Sequence, residues 1–256
     1  MKPSRVPLFT AMAALLFLYL PIIVLVIQSF NTARYGGSWQ GFTLDWYRQL
    51  AGNAPIQRAT VNTLIVASVS TFFSLVLGTL AAWVLHRYKG GLQRLHYLLV
   101  YAPLVIPDIL MGMSLLLLFV QAGIPLGRGT IIIAHTTFCF SYVTLVLIGR
   151  LQDFDDNLID AALDLGARWP TIITRILLPL LGPGLAAGAL LAFTLSVDDF
   201  VITFLVAGPG STTLPVHVYG MMKFGSPALV NALSVLFMAA TFAIVLTSQL
   251  LPKEKS

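Results

Sequence analysis

The sequence predicts an all-α polytopic membrane protein with six transmembrane helices. Three observations carry that reading. Hydrophobic residues make up 57% of the chain and charged residues only 10%, with a mean hydropathy of +0.88, whereas an ordinary soluble domain has ~25% charged residues. The apolar residues fall into blocks of about 20, the number that crosses a ~30 Å hydrocarbon core at 1.5 Å rise per residue. Lysine and arginine are also unevenly shared between the segments that join the blocks. The 256 residues fit a single transmembrane domain, residues 1–256.

The first block spans 8–30. Lys2 and Arg5 precede it as in a signal peptide, but the block is too long and no small-residue cleavage site follows, so it reads as a retained span. Asn31 to Ala59 is a polar loop whose Trp39, Trp46 and Tyr47 suit a membrane–water interface. The second span covers 61–85 and ends in His86, Arg87, Tyr88 and Lys89. The third covers 97–120 and is interrupted by Pro103, Pro107 and Asp108. A turn from Gly123 to Gly129 leads to the fourth, 129–148. After a polar stretch, 153–179, comes the fifth span, 182–207, which contains Asp198 and Asp199. A Gly- and Pro-rich loop, Gly208 to Pro227, leads to the sixth, 229–251.

Orientation follows from the basic residues. With the N-terminus inside, ten lysines and arginines lie on the inner side: Lys2, Arg5, Arg87, Lys89, Arg94, Arg150, Arg168, Arg175, Lys253 and Lys255. Five lie outside: Arg34, Arg48, Arg58, Arg128 and Lys223. The positive-inside rule therefore puts both termini, and the stretch 153–179, in the cytoplasm. The net charge of +5 serves this topology and does not point to nucleic acid.

The stretch from Asp160 to Pro179, DAALDLGARWPTIITRILLP, is the most informative segment. It reads as a short helix, a glycine turn at Gly166 and a second short helix entered through Pro170. Asp156 or Asn157 is placed to cap the first helix. Leu158, Ile159, Ala161, Ala162, Leu163 and Leu165 supply its apolar face. A helix of about two turns is marginal alone, so it needs a docking surface. Asp153, Asp155, Asp156, Asp160 and Asp164 surround it with acid, whereas helices that lie on lipid are usually basic. The plain alternative is an acidic solvated loop. The segment resembles the EAA loop of ABC-importer permeases: Asp160, Ala161, Ala162, Gly166, Ile176, Leu178 and Pro179 match it, with Asp in place of Glu at the first position. The resemblance implies a cytoplasmic coupling helix that docks on an ATPase.

Asp108, Asp198 and Asp199 lie inside predicted spans. A charge at the centre of a span costs ~2.5–3.5 kcal/mol on the insertion scale, and such residues usually face a bundle interior or a water-filled path. Helical neighbours stand 100° apart, so Asp198 and Asp199 cannot both point squarely into one pore, and the sequence does not say which does. No lysine or arginine lies within a predicted span to neutralise them. A permeating cation or a partner subunit would supply the missing charge. Pro107 is expected to free a carbonyl one turn earlier in the third span. Tyr101, Phe119, Phe200 and Phe204 either offer cation–π faces or simply pack.

The segments PLVIPDILMGMSLLLLF around Asp108, LAFTLSVDDFVITFLVAGPGSTTLP from Leu191 to Pro215 and VNALS from Val230 look like polyamine (spermidine/putrescine) importer permeases of the PotC/PotI type. The likeness runs from Ser29 through the sixth span. It implies the type I ABC importer permease (MetI-like) fold in a bacterial inner membrane and a polyamine path through Asp108, Asp198 and Asp199. It also implies a homologous second permease subunit, two ATPase subunits holding ATP and Mg, and an extracytoplasmic polyamine-binding protein.

Other chemistry is weakly signalled. No P-loop motif occurs, so no ATP is held in that way by this chain, and no residue is assigned a catalytic role. His86 and His96 flank a basic turn, His217 lies in an outer loop, and His135 has no partner at metal-site spacing, so no metal is expected. The single cysteine, Cys139, forms no intrachain disulfide. An importer of another small cationic or organic solute is the nearest alternative. An intramembrane aspartyl protease would use paired aspartates, but the Gly-x-Gly-Asp context is absent here. A self-sufficient secondary transporter would commonly show inverted repeats, and none is evident.

Overall fold

The computed structural model describes residues 6–152, 154, 155 and 157–250. Apolar blocks interrupted by few polar residues form helices because a backbone in hydrocarbon must satisfy its own N–H and C=O groups. The order is α1 (Val6–Gln28), α2 (Asp45–Ala51), α3 (Ala54–Arg87), α4 (Gln93–Val105), α5 (Asp108–Gln121), α6 (Arg128–Leu151), α7 (Asn157–Asp164), α8 (Trp169–Ile172), a π-helical turn (Ile173–Leu177), α9 (Leu178–Asp198), α10 (Val201–Val206), α11 (Leu214–Phe224) and α12 (Pro227–Leu250). Among the described residues the only strand-like pairing is one bridge between Asn31 and Phe42.

The chain forms two compact units, one of Met1–Gln57 with His217–Ser256 and one of Arg58–Val216. In the first, α1 and α2 both pack on α12. The expected loop after the first span is built around Asn31, which is fully buried. Its amide donates to Gln28 Oε1 (2.8 Å) and the Ser38 carbonyl (3.1 Å) and accepts the backbone N–H groups of Ala33 and Gln40. Trp46 donates its indole N–H to the Asn31 carbonyl at 2.8 Å. The aromatic residue thus anchors the loop that folds α2 back.

In the second unit α6 is the central element. Ile131, Ala134, Phe138, Cys139, Val143, Leu147 and Leu151 line it at helical spacing and are all buried. α9 packs along it most extensively. Val143 fits between two small residues: a Cβ on Gly78 of α3 would meet it at 2.7 Å, and one on Gly188 of α9 at 3.4 Å. Small residues at such crossings let membrane helices approach closely, where packing replaces the hydrophobic drive.

Four described helical stretches are long and apolar enough to span a membrane: Leu8–Gln28, Ala54–Arg87, Arg128–Leu151 and Trp169–Asp198. They answer to the expected first, second, fourth and fifth spans. α12 answers to the sixth. The third departs from expectation. α4 and α5 meet at a bend of 109°, so 97–120 is not one helix. Proline disfavours the helical conformation in the residue before it. Ile106 is accordingly extended (φ −71°, ψ 127°), the helix stops at Val105, and a new one begins at Asp108. Pro107 therefore breaks the span outright instead of freeing one carbonyl within it. The fifth span also breaks, between Asp198 and Val201, short of the expected 207. Two expected loops contain helices, α2 and α11.

Candidate functional site

The two breaks meet at one cavity of about 310 Å³. Pro103 and Asp108 reach it from the α4–α5 break, and Asp198, Asp199 and Phe200 from the α9–α10 break. Phe138 and Tyr142 of α6 and Thr194 and Leu195 of α9 complete much of the wall. α5 and α10 pack against each other, and Gly112 allows it: a Cβ there would stand 2.7 Å from a Leu205 methyl carbon. The pairing brings two acid-bearing helix breaks to one place.

The three aspartates occupy different environments. Asp108 is exposed and opens α5, where the unpaired N–H groups of a first turn favour a negative charge. Asp198 is the last residue of α9 and is also exposed. Asp199 is turned inward, its side chain only 8% exposed. Its Oδ2 accepts the Thr203 N–H and hydroxyl, each at 2.8 Å, and lies 3.1 Å from His135 Nε2. These local bonds compete with helix continuation and cap the start of α10. No lysine or arginine is among the residues lining the cavity.

His135 is the residue that sequence reasoning missed. It is fully buried, and its Nδ1 lies 2.7 Å from Ser196 Oγ, which lies 3.1 Å from Ser70 Oγ. Its Nε2 also lies 2.9 Å from Thr203 Oγ1. The spacing to Asp199 is 64 residues, so a search for local partners does not find it. The usable signal was a histidine followed by Thr136 and Thr137 inside an apolar helix. The candidate cation–π residues divide. Phe200 lines the cavity with Phe204 tilted against it at 5.5 Å, Phe119 is core, and Tyr101 pairs with Tyr97.

The second candidate site is the stretch after α6. α7 ends in a paired cap: Ala167 N–H donates to the Ala162 carbonyl (2.9 Å) and Gly166 N–H to Leu163 (2.8 Å), with Gly166 at φ +80°. Asp155 supplies the contact expected of Asn157, its carboxylate accepting the Asn157 backbone N–H at 3.0 Å. Asp153 and Asp156 lie outside the described residues. The second helix is not a separate short one. α8 runs through the π-helical turn directly into α9. Pro179 has no N–H to give and its ring crowds the carbonyl four residues back. The wider turn just before it, with Leu178 N–H bonding back to Ile173 at i−5, lets the helix continue.

Ile159, Ile172 and Leu177 form a small buried core with Ala162, Ala167 and Ile176 packed on it. Trp83 from the end of α3 and Phe154 close that core, their rings 6.4 Å apart, and His86 stands edge-on to Phe154 at 6.3 Å. Asp160 lies 3.8 Å from Arg87. The apolar face is therefore divided: Ile159 and Ala162 turn inward, while Leu158, Ala161, Leu163 and Leu165 remain exposed, joined by Trp169. Leu178 and Pro179 are exposed as well.

The sequence profile of a family described as "Binding-protein-dependent transport system inner membrane component" matches residues 74–251. The chain is 40% identical over 240 residues to the spermidine/putrescine transport system permease protein PotC of Escherichia coli K12, covering 94% of this chain and 91% of that one. It is 41% identical over 232 residues to the putrescine transport system permease protein PotI of the same organism, covering 88% and 82%. Among solved structures, one chain of a bacterial ABC transporter importing the acidic polysaccharide alginate superposes with a TM-score of 0.74 at 15% identity, covering 99% of both chains. That last likeness bears on the fold alone.

Proposed function

Because this chain belongs to the family of binding-protein-dependent transport system inner membrane components, we propose that it forms half of the path of an ATP-driven importer for polyamines. Putrescine and spermidine are the substrate class of the relatives it resembles along nearly its whole length. The observation that carries the reading is the cavity at the two helix breaks. Asp108 and Asp198 are exposed in it, with Tyr142, Phe138 and Phe200 alongside.

A polyamine is a run of methylenes bearing separated ammonium groups. Two carboxylates on separate elements answer the ammonium groups, and apolar or aromatic walls answer the methylenes. Attraction need offset only part of the lost hydration, since a site that holds too tightly does not release. A homologous permease would close the other side of the path, and an extracytoplasmic binding protein would deliver the substrate. ATP and Mg would be held by two partner ATPase subunits, docked on the exposed leucines of α7 and on Trp169. The chain is a non-catalytic transport component. It lies in the inner membrane, for which we propose both termini in the cytoplasm.

The test is uptake of labelled putrescine and spermidine into vesicles holding the reconstituted complex. Saturable, ATP-dependent uptake of polyamines is expected. ATP-dependent uptake of a neutral or anionic solute with none of polyamine would overturn the assignment.

A further inference from the structure

His135 stands where the fifth span breaks and contacts both sides of the break. On the α9 side its Nδ1 meets Ser196 at 2.7 Å, and Ser196 is tied at 3.1 Å to Ser70 on α3. On the α10 side its Nε2 meets Asp199 at 3.1 Å and Thr203 at 2.9 Å. The carboxylate can only accept, so Nε2 carries a proton toward it and Nδ1 faces the serine hydroxyl. The ring, Ser196 and Thr203 are all at most 3% exposed. A fully satisfied buried polar group of this kind fixes geometry, because leaving any member unpaired is costly.

The consequence falls on the neighbouring residue. Asp198 sits between the two anchor points, Ser196 and Asp199, and has no contact with the network. Adjacent residues of opposite fate are set by the backbone between them: α9 ends at Asp198, and Asp199 turns extended at φ −64°, ψ 126°. Both aspartates border the cavity, but Asp199 is held against His135 with its side chain 8% exposed, whereas Asp198 stands exposed.

We propose that His135 is a positioning residue that pins the α9–α10 break and thereby presents Asp198 to the permeating cation while keeping Asp199 out of its way. The role in transport rests on the proposed function of the cavity, but the pinning itself does not.

The test separates the two. In the assembled transporter, in a Cys139→Ser background, Asp198→Cys is modified with a small quaternary-ammonium thiosulfonate, and the rate is compared with and without a second change. His135→Ala is expected to slow modification at least about 10-fold, the scale of losing a hydrogen bond to a charged group. His135→Gln, which can still donate one N–H, should fall between. Should His135→Ala fail to assemble, Ser196→Ala removes the other anchor and carries the same expectation. An unchanged or faster rate in the assembled variants overturns the proposal.

Putrescine uptake gives the second arm. His135→Gln should raise the half-saturating concentration more than it lowers the maximal rate, and it should add nothing to Asp198→Asn, as expected for residues acting through one another. Losses that multiply in the double variant also overturn the proposal. If Asp198→Asn itself leaves uptake intact, the role of Asp198 in the path fails while the modification rates still judge the positioning.

Discussion

Removing charge at Asp108 or Asp198 without changing shape tests each carboxylate directly. Asp108→Asn and Asp198→Asn are each expected to cut polyamine uptake at least about 10-fold, the loss for an ammonium deprived of a charge-assisted hydrogen bond. Assembly and ATP hydrolysis should persist, and near-normal uptake in both variants would return these residues to a structural role. Asp199→Asn belongs to a different class. It weakens bonds from Thr203 and His135 inside the protein, so a cost of about 1.5–3 kcal/mol in stability is expected. A thermal-melting series on the purified complex checks this, and an unshifted midpoint would refute it. The three aspartates were legible in the sequence as membrane carboxylates because their cost is local. That Asp199 is held inside the protein while Asp198 stands exposed was not legible, since the His135 contact comes from 64 residues away.

Among the elements, the turn between α7 and α8 offers the sharpest test. Gly166 has open space around its Cβ position but a φ of +80°, so the strain of a side chain there is conformational, not steric crowding. Gly166→Val should cost about 1–3 kcal/mol locally, and the subunit should insert normally yet associate weakly with its ATPase. A pull-down that recovers the ATPase at wild-type level, with wild-type transport, would dismiss the coupling role. Ile172→Ala removes the centre of the small core under α7. A loss of about 2–4 kcal/mol is expected there, read as faster proteolysis in the segment between α6 and α9; an unchanged cleavage rate would count against it. The motif's spacing made the glycine turn readable in advance. The continuous passage from α8 into α9 was not, because proline normally ends or kinks a helix and the compensating π-helical turn has no comparable sequence mark. The break at Pro107 was visible as an interruption, but its 109° bend depends on what α4 and α5 pack against.

For the molecule as a whole, cysteine labelling tests which side each loop faces. With Cys139→Ser as background, Tyr35→Cys should react with an impermeant thiol reagent applied to intact cells, and Asp155→Cys should not. Both native side chains are exposed, so access and not burial decides the outcome; Ser211, in a loop expected on the outer side, is buried and would report poorly. The opposite pattern would invert the topology and remove the ATPase from α7. The number and order of apolar blocks carried the fold, since each must satisfy its backbone alone. The helices inside the expected loops escaped notice because Asp45–Ala51 and Leu214–Phe224 are short, and helices of that length leave a weak local signal.

The uninterrupted helical passage from Trp169 to Asp198 acquires a mechanical meaning at this scale. Thirty residues at 1.5 Å each make a rod of up to about 45 Å. Its lower end adjoins α7 and its upper end carries Asp198. A rocking of about 5° about the lower end would sweep the upper end by about 4 Å over that length. That is more than the reach of a hydrogen bond. If α7 docks an ATPase and Asp198 meets the cation as proposed, a small stroke at one end of such a lever would be enough to open or close the grip at the other.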